Sequence, residues 1–136
     1  MRFLLVIIIY FSATSIKAQD LKSHQWKNRV LLVISKTENL EEFKKQITLL
    51  NNNDDAFAER KLLVYYILPN KYKIDNNKWI TSSVLFNKFT DKKSAFTVIL
   101  IGLDGGIKLS QNQIISTQKL FSSIDVMPMR KSELKD

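Results

Sequence analysis

Apolar residues in this chain cluster in short blocks. The first is nine residues long, Phe3–Phe11, and the others centre on RVLLVI (29–34), KLLVYYIL (61–68) and AFTVILIG (95–102). The last three are the length of strands, rich in β-branched residues and free of alternation, which predicts strands buried on both faces. Between the first two, SKTENLEEFKKQITLLNNN carries Leu40, Phe43, Ile47 and Leu50 at i, i+3, i+7 and i+10. That is one stripe of an amphipathic helix. Ser35 three residues before Glu38 predicts a capping box at its start, and Asn51-Asn52-Asn53-Asp54-Asp55 predicts its stop, because short polar side chains bond locally to the backbone. Strand, helix, strand with both strands buried implies a right-handed parallel crossover.

After Pro69-Asn70, the segment NKYKIDNNKW (70–79) reads as a polar loop with aromatics folded back on the core. Residues 80–90 carry a weak helical pattern through Ile80, Val84, Leu85 and Phe89. The third strand, 95–102, is followed by a shorter fourth, GIKLS, with Asp104-Gly105 between them. Asp-Gly is the common two-residue type I′ hairpin signal, since both turn residues need positive φ. A last helix is predicted from a second capping-box spacing, Ser110 and Gln113, with Ile114, Phe121 and Ile124 on one face and Leu120 beside it. It ends near Asp125, and Pro128 suits the first turn of a further short segment. The order predicts a thioredoxin-like, three-layer α/β sandwich: a mixed four-stranded sheet made of a parallel βαβ unit plus a C-terminal β-hairpin and helix.

The opening block has a different meaning. Arg2, the apolar run to Phe11, small polar residues Ser12–Ser15 and Ala18-Gln19 match a secretory signal peptide over residues 1–18. Nine apolar residues fall short of the roughly 20 that a spanning helix needs, and no cysteine follows the cleavage point to carry a lipid. The expectation is an exported protein, periplasmic or extracellular, with a single domain over 19–136 and no transmembrane segment in the mature chain. Its 118 residues suffice for one core. The whole chain carries +8; without Arg2 and Lys17 the remainder has 19 basic and 13 acidic residues, a net of +6. The lysines are scattered, which favours solubility and weak attraction to anionic surfaces over a dedicated nucleic-acid face. Nucleic acid is not expected as a partner of an exported protein.

Zero cysteines remove every thiol-based activity and every Cys-ligated metal site. The corner where a thioredoxin-like domain does its chemistry is here Ser35-Lys36-Thr37-Glu38, with a capping role expected for Ser35. Lys93-Ser94-Ala95 lacks the proline that thioredoxin-like oxidoreductases place in cis before the third strand. All three glycines, Gly102, Gly105 and Gly106, sit in ILIGLDGGIKLS. A phosphate loop would run directly from strand into helix; here a strand intervenes, so the glycines belong to a hairpin. The single histidine, His24, lies in the polar stretch DLKSHQW and is expected to be exposed. Neither metal nor cofactor is implied. In SSIDVMPMRKSELKD, Arg130 and Glu133 stand at i, i+3 and suit an ion pair. Two readings of the tail stay open: Met127 and Met129 pinning it on the sheet, or a functional cluster of Asp104, Asp125, Arg130 and Glu133.

Four stretches, NRVLLVIS, AERKLLVYYI, LIGLDGGIKL and LFSSIDVMPMRKSEL, resemble the domain-of-unknown-function family 4174 across residues 26–134. That family occurs as small secreted bacterial proteins and as the C-terminal module of vertebrate extracellular proteins with sushi repeats. The resemblance implies a thioredoxin-like or peroxiredoxin-like fold without an established activity. Its signature residues map to Arg29, Arg60, Asp104, Gly105, Gly106, Lys108, Asp125, Met127, Pro128, Arg130 and Glu133. Leu103 and Lys61 depart from it, standing where the family often has Lys and Asp. The functional expectation is a secreted, redox-inactive thioredoxin-like domain acting as a binding or interaction module for an unknown partner. Its alternative is a non-thiol enzyme or small-ligand binder using Asp104, Asp125, Arg130, Glu133 and Arg60.

Overall fold

The computed structural model describes residues 21–135, so the expected signal peptide and its cleavage point lie outside the described residues. A 3-10 turn at Leu21–His24 leads into β1 (Arg29–Ser35), and helices α1 (Glu41–Leu50) and α2 (Asp54–Glu59) carry the chain to β2 (Leu62–Leu68). Then follow β3 (Lys71–Ile74), β4 (Ile80–Thr81), α3 (Val84–Phe89), β5 (Phe96–Ile101), β6 (Ile107–Gln111), α4 (Thr117–Asp125) and α5 (Pro128–Lys135). The strands form one mixed sheet in the order β4-β3-β2-β1-β5-β6. β1 is central, parallel to β2 on one side and antiparallel to β5 on the other.

Because side chains alternate across a strand, each apolar run feeds two cores. Leu31, Val33, Val64, Tyr66, Val98 and Leu100 point to one face with Phe43, Phe57, Ile115, Leu120 and Ile124. Val30, Leu32, Ile34, Tyr65, Ile67, Ile99 and Ile101 point to the other, where Leu85 of α3 and Tyr72 of β3 close it. Helices α1, α2 and α4 therefore cover one face and α3 the opposite one, which is the expected three-layer sandwich.

The sheet has six strands rather than four. The segment taken as a polar loop contains β3, whose Tyr72 is buried while Lys71 and Lys73 reach back over the Trp79 ring at 4.6 and 5.1 Å. The alternation in KYKI was the available signal, and its brevity hid it among polar neighbours. Pro69-Asn70 does not merely end β2; it turns the chain back, with Leu68 opposite Lys71.

Neither predicted capping box forms. Ser35 is the last residue of β1, paired with Phe96 and fully buried. Its hydroxyl donates to the Thr37 carbonyl at 2.6 Å. Sheet pairing overrides the local capping signal, and α1 begins at Glu41 with acidic residues in its first turn, favourable to the helix dipole. Ser110 likewise lies in β6 opposite Ile99. The residue that caps α4 is Ser116, whose hydroxyl accepts from the Lys119 amide at 3.1 Å.

His24 is half-buried rather than exposed. Its ring meets Tyr65 edge-on, 5.6 Å between centroids, and Nε2 bonds the Tyr65 hydroxyl. Burial first, and Lys27 second, push its pKa below the ordinary value.

One buried polar residue ties the helical layer together. Gln46 of α1 is inaccessible, donating to the Ile115 carbonyl at 2.9 Å and accepting from the Ile115 amide at 2.8 Å. Gln46→Met would keep the volume but orphan both backbone groups. A loss of about 2–4 kcal/mol in urea unfolding is expected, without change of fold by circular dichroism.

Candidate functional site

The parallel strands β1 and β2 start at the same end of the sheet, and β5 finishes there. That placement gathers Arg29 at the start of β1, Glu59-Arg60-Lys61 before β2, the β5–β6 turn, and the junction of α4 with α5. The turn is not the expected two-residue type I′. The Gly105 amide donates to the Gly102 carbonyl at 3.0 Å, and the Gly102 amide to the Gly106 carbonyl at 2.9 Å. Among the turn residues, only Gly105 is left-handed, at φ 82°. This is a three-residue loop closed by a glycine bulge. The β5–β6 register slips between Leu100 and Ile101, leaving Lys108 as the extra residue. Its side chain folds over Gly102, where a Cβ would sit 2.6 Å from the lysine Cε. The Lys108 Nζ reaches Asp104 Oδ2 at 2.8 Å, and Asp104 Oδ1 accepts from the Gly106 amide at 2.9 Å. The Lys108 bond and then the Gly106 amide hold the Asp104 carboxyl below the usual range.

Four of the five expected site residues meet directly. Arg60 grips Asp125 through Nε and Nη2, both at 3.1 Å, while its guanidinium stacks 4.2 Å over Phe121. Arg130 is buried and donates to Asp125 at 3.3 Å, Glu133 at 3.3 Å, and Glu59 through both carboxylate (2.9 Å) and carbonyl (3.1 Å). The i, i+3 pairing of Arg130 with Glu133 is as expected. Asp104 does not touch Arg130; its partner is Lys108. The anticipated four-member cluster is therefore two assemblies at one end of the domain.

Arg29 bonds the first assembly and lines a cavity with the residues of the second; residue types alone did not single it out, and only the family resemblance marked it. Its side chain is 0% exposed. Nη1 donates to the Glu133 carboxylate at 3.2 Å and to the Arg60 carbonyl at 2.8 Å. The Arg29 amide bonds the Lys61 carbonyl at 2.8 Å. Lys61 is left-handed at φ 51°, following α2, which turns carbonyls 60 and 61 toward Arg29. Asp tolerates that conformation better than Lys. Arg29 Nε and Nη2 have no hydrogen-bond partner among the described residues. Arg29 also lines a cavity of about 210 Å³ together with Gly102, Leu103, Asp104, Lys108 and Met127-Pro128-Met129. Met127 packs on the core while Met129 is exposed, so only one methionine pins the tail.

The electrostatics favour held charge over proton transfer. Asp125 is pushed below the usual carboxylate range, first by its Arg60 bond and then by Arg130 against partial burial. Burial opposes the charge on Arg130, but Glu59, Glu133 and Asp125 outweigh it and raise its pKa. General acid–base work at neutral pH needs a carboxyl tuned upward, and both Asp104 and Asp125 move the other way. Among the described residues no helix is long and apolar enough to cross a membrane.

The family model for "Domain of unknown function (DUF4174)" matches residues 20–133. No curated protein matches the chain. Among solved structures, the reduced 2-Cys peroxiredoxin of Plasmodium vivax superposes with a TM-score of 0.58 at 15% identity, covering 82% of this chain and 72% of that one. The likeness establishes a thioredoxin-like fold.

A carboxylate whose folded pKa lies below its unfolded value, near 3.8 for Asp125, stabilises fully above that value. The contribution is lost as pH falls through the folded pKa. Thermal stability of the wild type is thus expected to fall below pH about 4, and Asp125→Asn to be less stable at pH 7 with a shallower acid limb. Calorimetry across pH 2–7 reads both; parallel curves would contradict the assignment.

Proposed function

Because the chain belongs to the DUF4174 family and has the thioredoxin-like fold without a single cysteine, we propose that it is an exported, redox-inactive binding module. Its recognition end is where β1 and β2 begin. The leader pattern of residues 1–18 supports export to periplasm or exterior. One observation carries the binding reading: the domain's buried ion-pair machinery stands at the opposite end of β1 from the corner used for thiol chemistry. At that corner Ser35 is buried and occupied with Thr37. At the other end three arginines are held around Glu59, Asp125 and Glu133, beside exposed Met129 and Val126. A small-ligand form of the same reading is favoured by the cavity that Arg29 lines.

Photo-cross-linking residues placed in the exporting host at Met129 and Lys61, against Lys36 and Lys71 at the other end, test this. Specific adducts are expected at the first pair only, with fractionation placing the chain outside the cytoplasm. Adducts at Lys36 alone, or retention in the cytoplasm, would overturn the proposal. Insulin reduction and peroxide turnover should stay at background, since no thiol exists to carry either.

A further inference from the structure

An arginine presents two flat edges. One is the Nη1/Nη2 end, and the other is the side formed by Nε and Nη2, which matches the two oxygens of a carboxylate. Arg60 uses that side edge on Asp125. Arg29 spends Nη1 on Glu133 and the Arg60 carbonyl, and its side edge, Nε with Nη2, is buried without a partner among the described residues. A buried guanidinium with an unused fork is costly, and the residue lines a cavity.

We propose that this cavity is a carboxylate-binding site, with the Nε/Nη2 edge of Arg29 as its anchor; the inference deepens the binding reading above. Three observations favour an anion. Among the described residues, the assembly holds five cations (Arg29, Arg60, Lys61, Lys108, Arg130) against four carboxylates (Glu59, Asp104, Asp125, Glu133), one positive charge in surplus. Asp104, the one carboxylate lining the cavity, is neutralised by Lys108 and the Gly106 amide. Met127, Pro128 and Met129 line it as well, so the positive end of the α5 dipole meets the same space. Two observations favour a carboxylate over a larger tetrahedral anion. The unused edge is a planar two-donor fork, and Leu103, Met127, Pro128 and Met129 give the walls an apolar character suited to a carbon chain behind the charged group. That chemistry comes from a free small carboxylic acid or from the C-terminal carboxylate of a peptide.

The test is titration of the ¹⁵N-labelled protein, reading the side-chain Nε–H resonance of Arg29, assigned by its absence in Arg29→Lys. Acetate, propionate, a short apolar peptide with a free C-terminus, its amidated form, and inorganic phosphate are the titrants. Saturable movement of that resonance with the carboxylates, and none with the amidated peptide, is expected. A free-terminus peptide binding at least about tenfold tighter than propionate identifies a chain end, and similar affinities identify a free acid; both support the site. Arg29→Lys keeps the charge but loses the fork. It should weaken binding about tenfold, read on the Gly102 and Lys108 amides. Since Arg29→Lys bears on folding as well, Met129→Glu supplies an independent variant. Met129 is exposed, an acidic residue suits a first helical turn, and its carboxylate should abolish binding with the fold intact. An unmoved Arg29 resonance with every carboxylate, phosphate binding tighter than all of them, or wild-type affinity in Met129→Glu would each overturn the proposal. An unmoved resonance alongside cross-links confined to Met129 and Lys61 would remove the carboxylate and leave the binding module standing.

Discussion

A fully buried arginine at the first residue of the central strand governs this end of the molecule. The Arg29 side chain is 0% exposed, so most of its charge must be met by protein groups, or folding would carry several kcal/mol of desolvation unopposed. Glu133 meets it from α5, and the carbonyl of Arg60 meets it from the turn after α2. Two elements far apart in sequence must therefore arrive together before β1 can begin where it does. Short helices that bury little on their own are held in place by that demand.

The same demand propagates outward. Glu133 also binds Arg130, Arg130 binds Asp125 and Glu59, and Asp125 binds Arg60. Asp125 closes α4, where a negative charge opposes the helix dipole; two guanidiniums reverse that disadvantage. The result is a polar plug under the α2, α4 and α5 ends, continuous with the apolar core through Phe121 and Met127. In open α/β sheets ligands gather at the C-terminal ends of the parallel strands. Here the structured polarity lies at their N-terminal ends, the opposite end of β1 from Ser35.

Much of the architecture was legible because burial on both faces leaves a continuous apolar run. Residues 29–34, 61–68 and 95–102 announced the three central strands in that way. β3 was hidden because only Tyr72 is buried in a four-residue segment crowded with lysines. The serine-based helix starts misled because a capping box is a local pattern, and both Ser35 and Ser110 were claimed by sheet pairing. Among the site residues, Arg130 and Glu133 were legible as a pair by helical spacing. Asp104 was drawn toward them by its turn chemistry, yet the bulge at Lys108 supplied a nearer cation. Arg29 was marked only by the family resemblance, and nothing in RVLLVI announces that its guanidinium is buried.

What the chain determines by itself is everything that depends on composition and period: the absence of thiol chemistry, the buried parallel pair, the hairpin glycines and the helix start at Pro128. These follow from properties carried by neighbouring residues. The tertiary structure alone decided which charges meet across elements. Contacts between residues 29 and 133, or 59 and 130, depend on where β1, α2 and α5 end in space, and no spacing along the chain encodes that. The unused edge of Arg29 belongs to the same class. It exists because Glu133 and the Arg60 carbonyl take up Nη1 while Nε and Nη2 stay buried without a partner among the described residues, on a residue that lines a cavity.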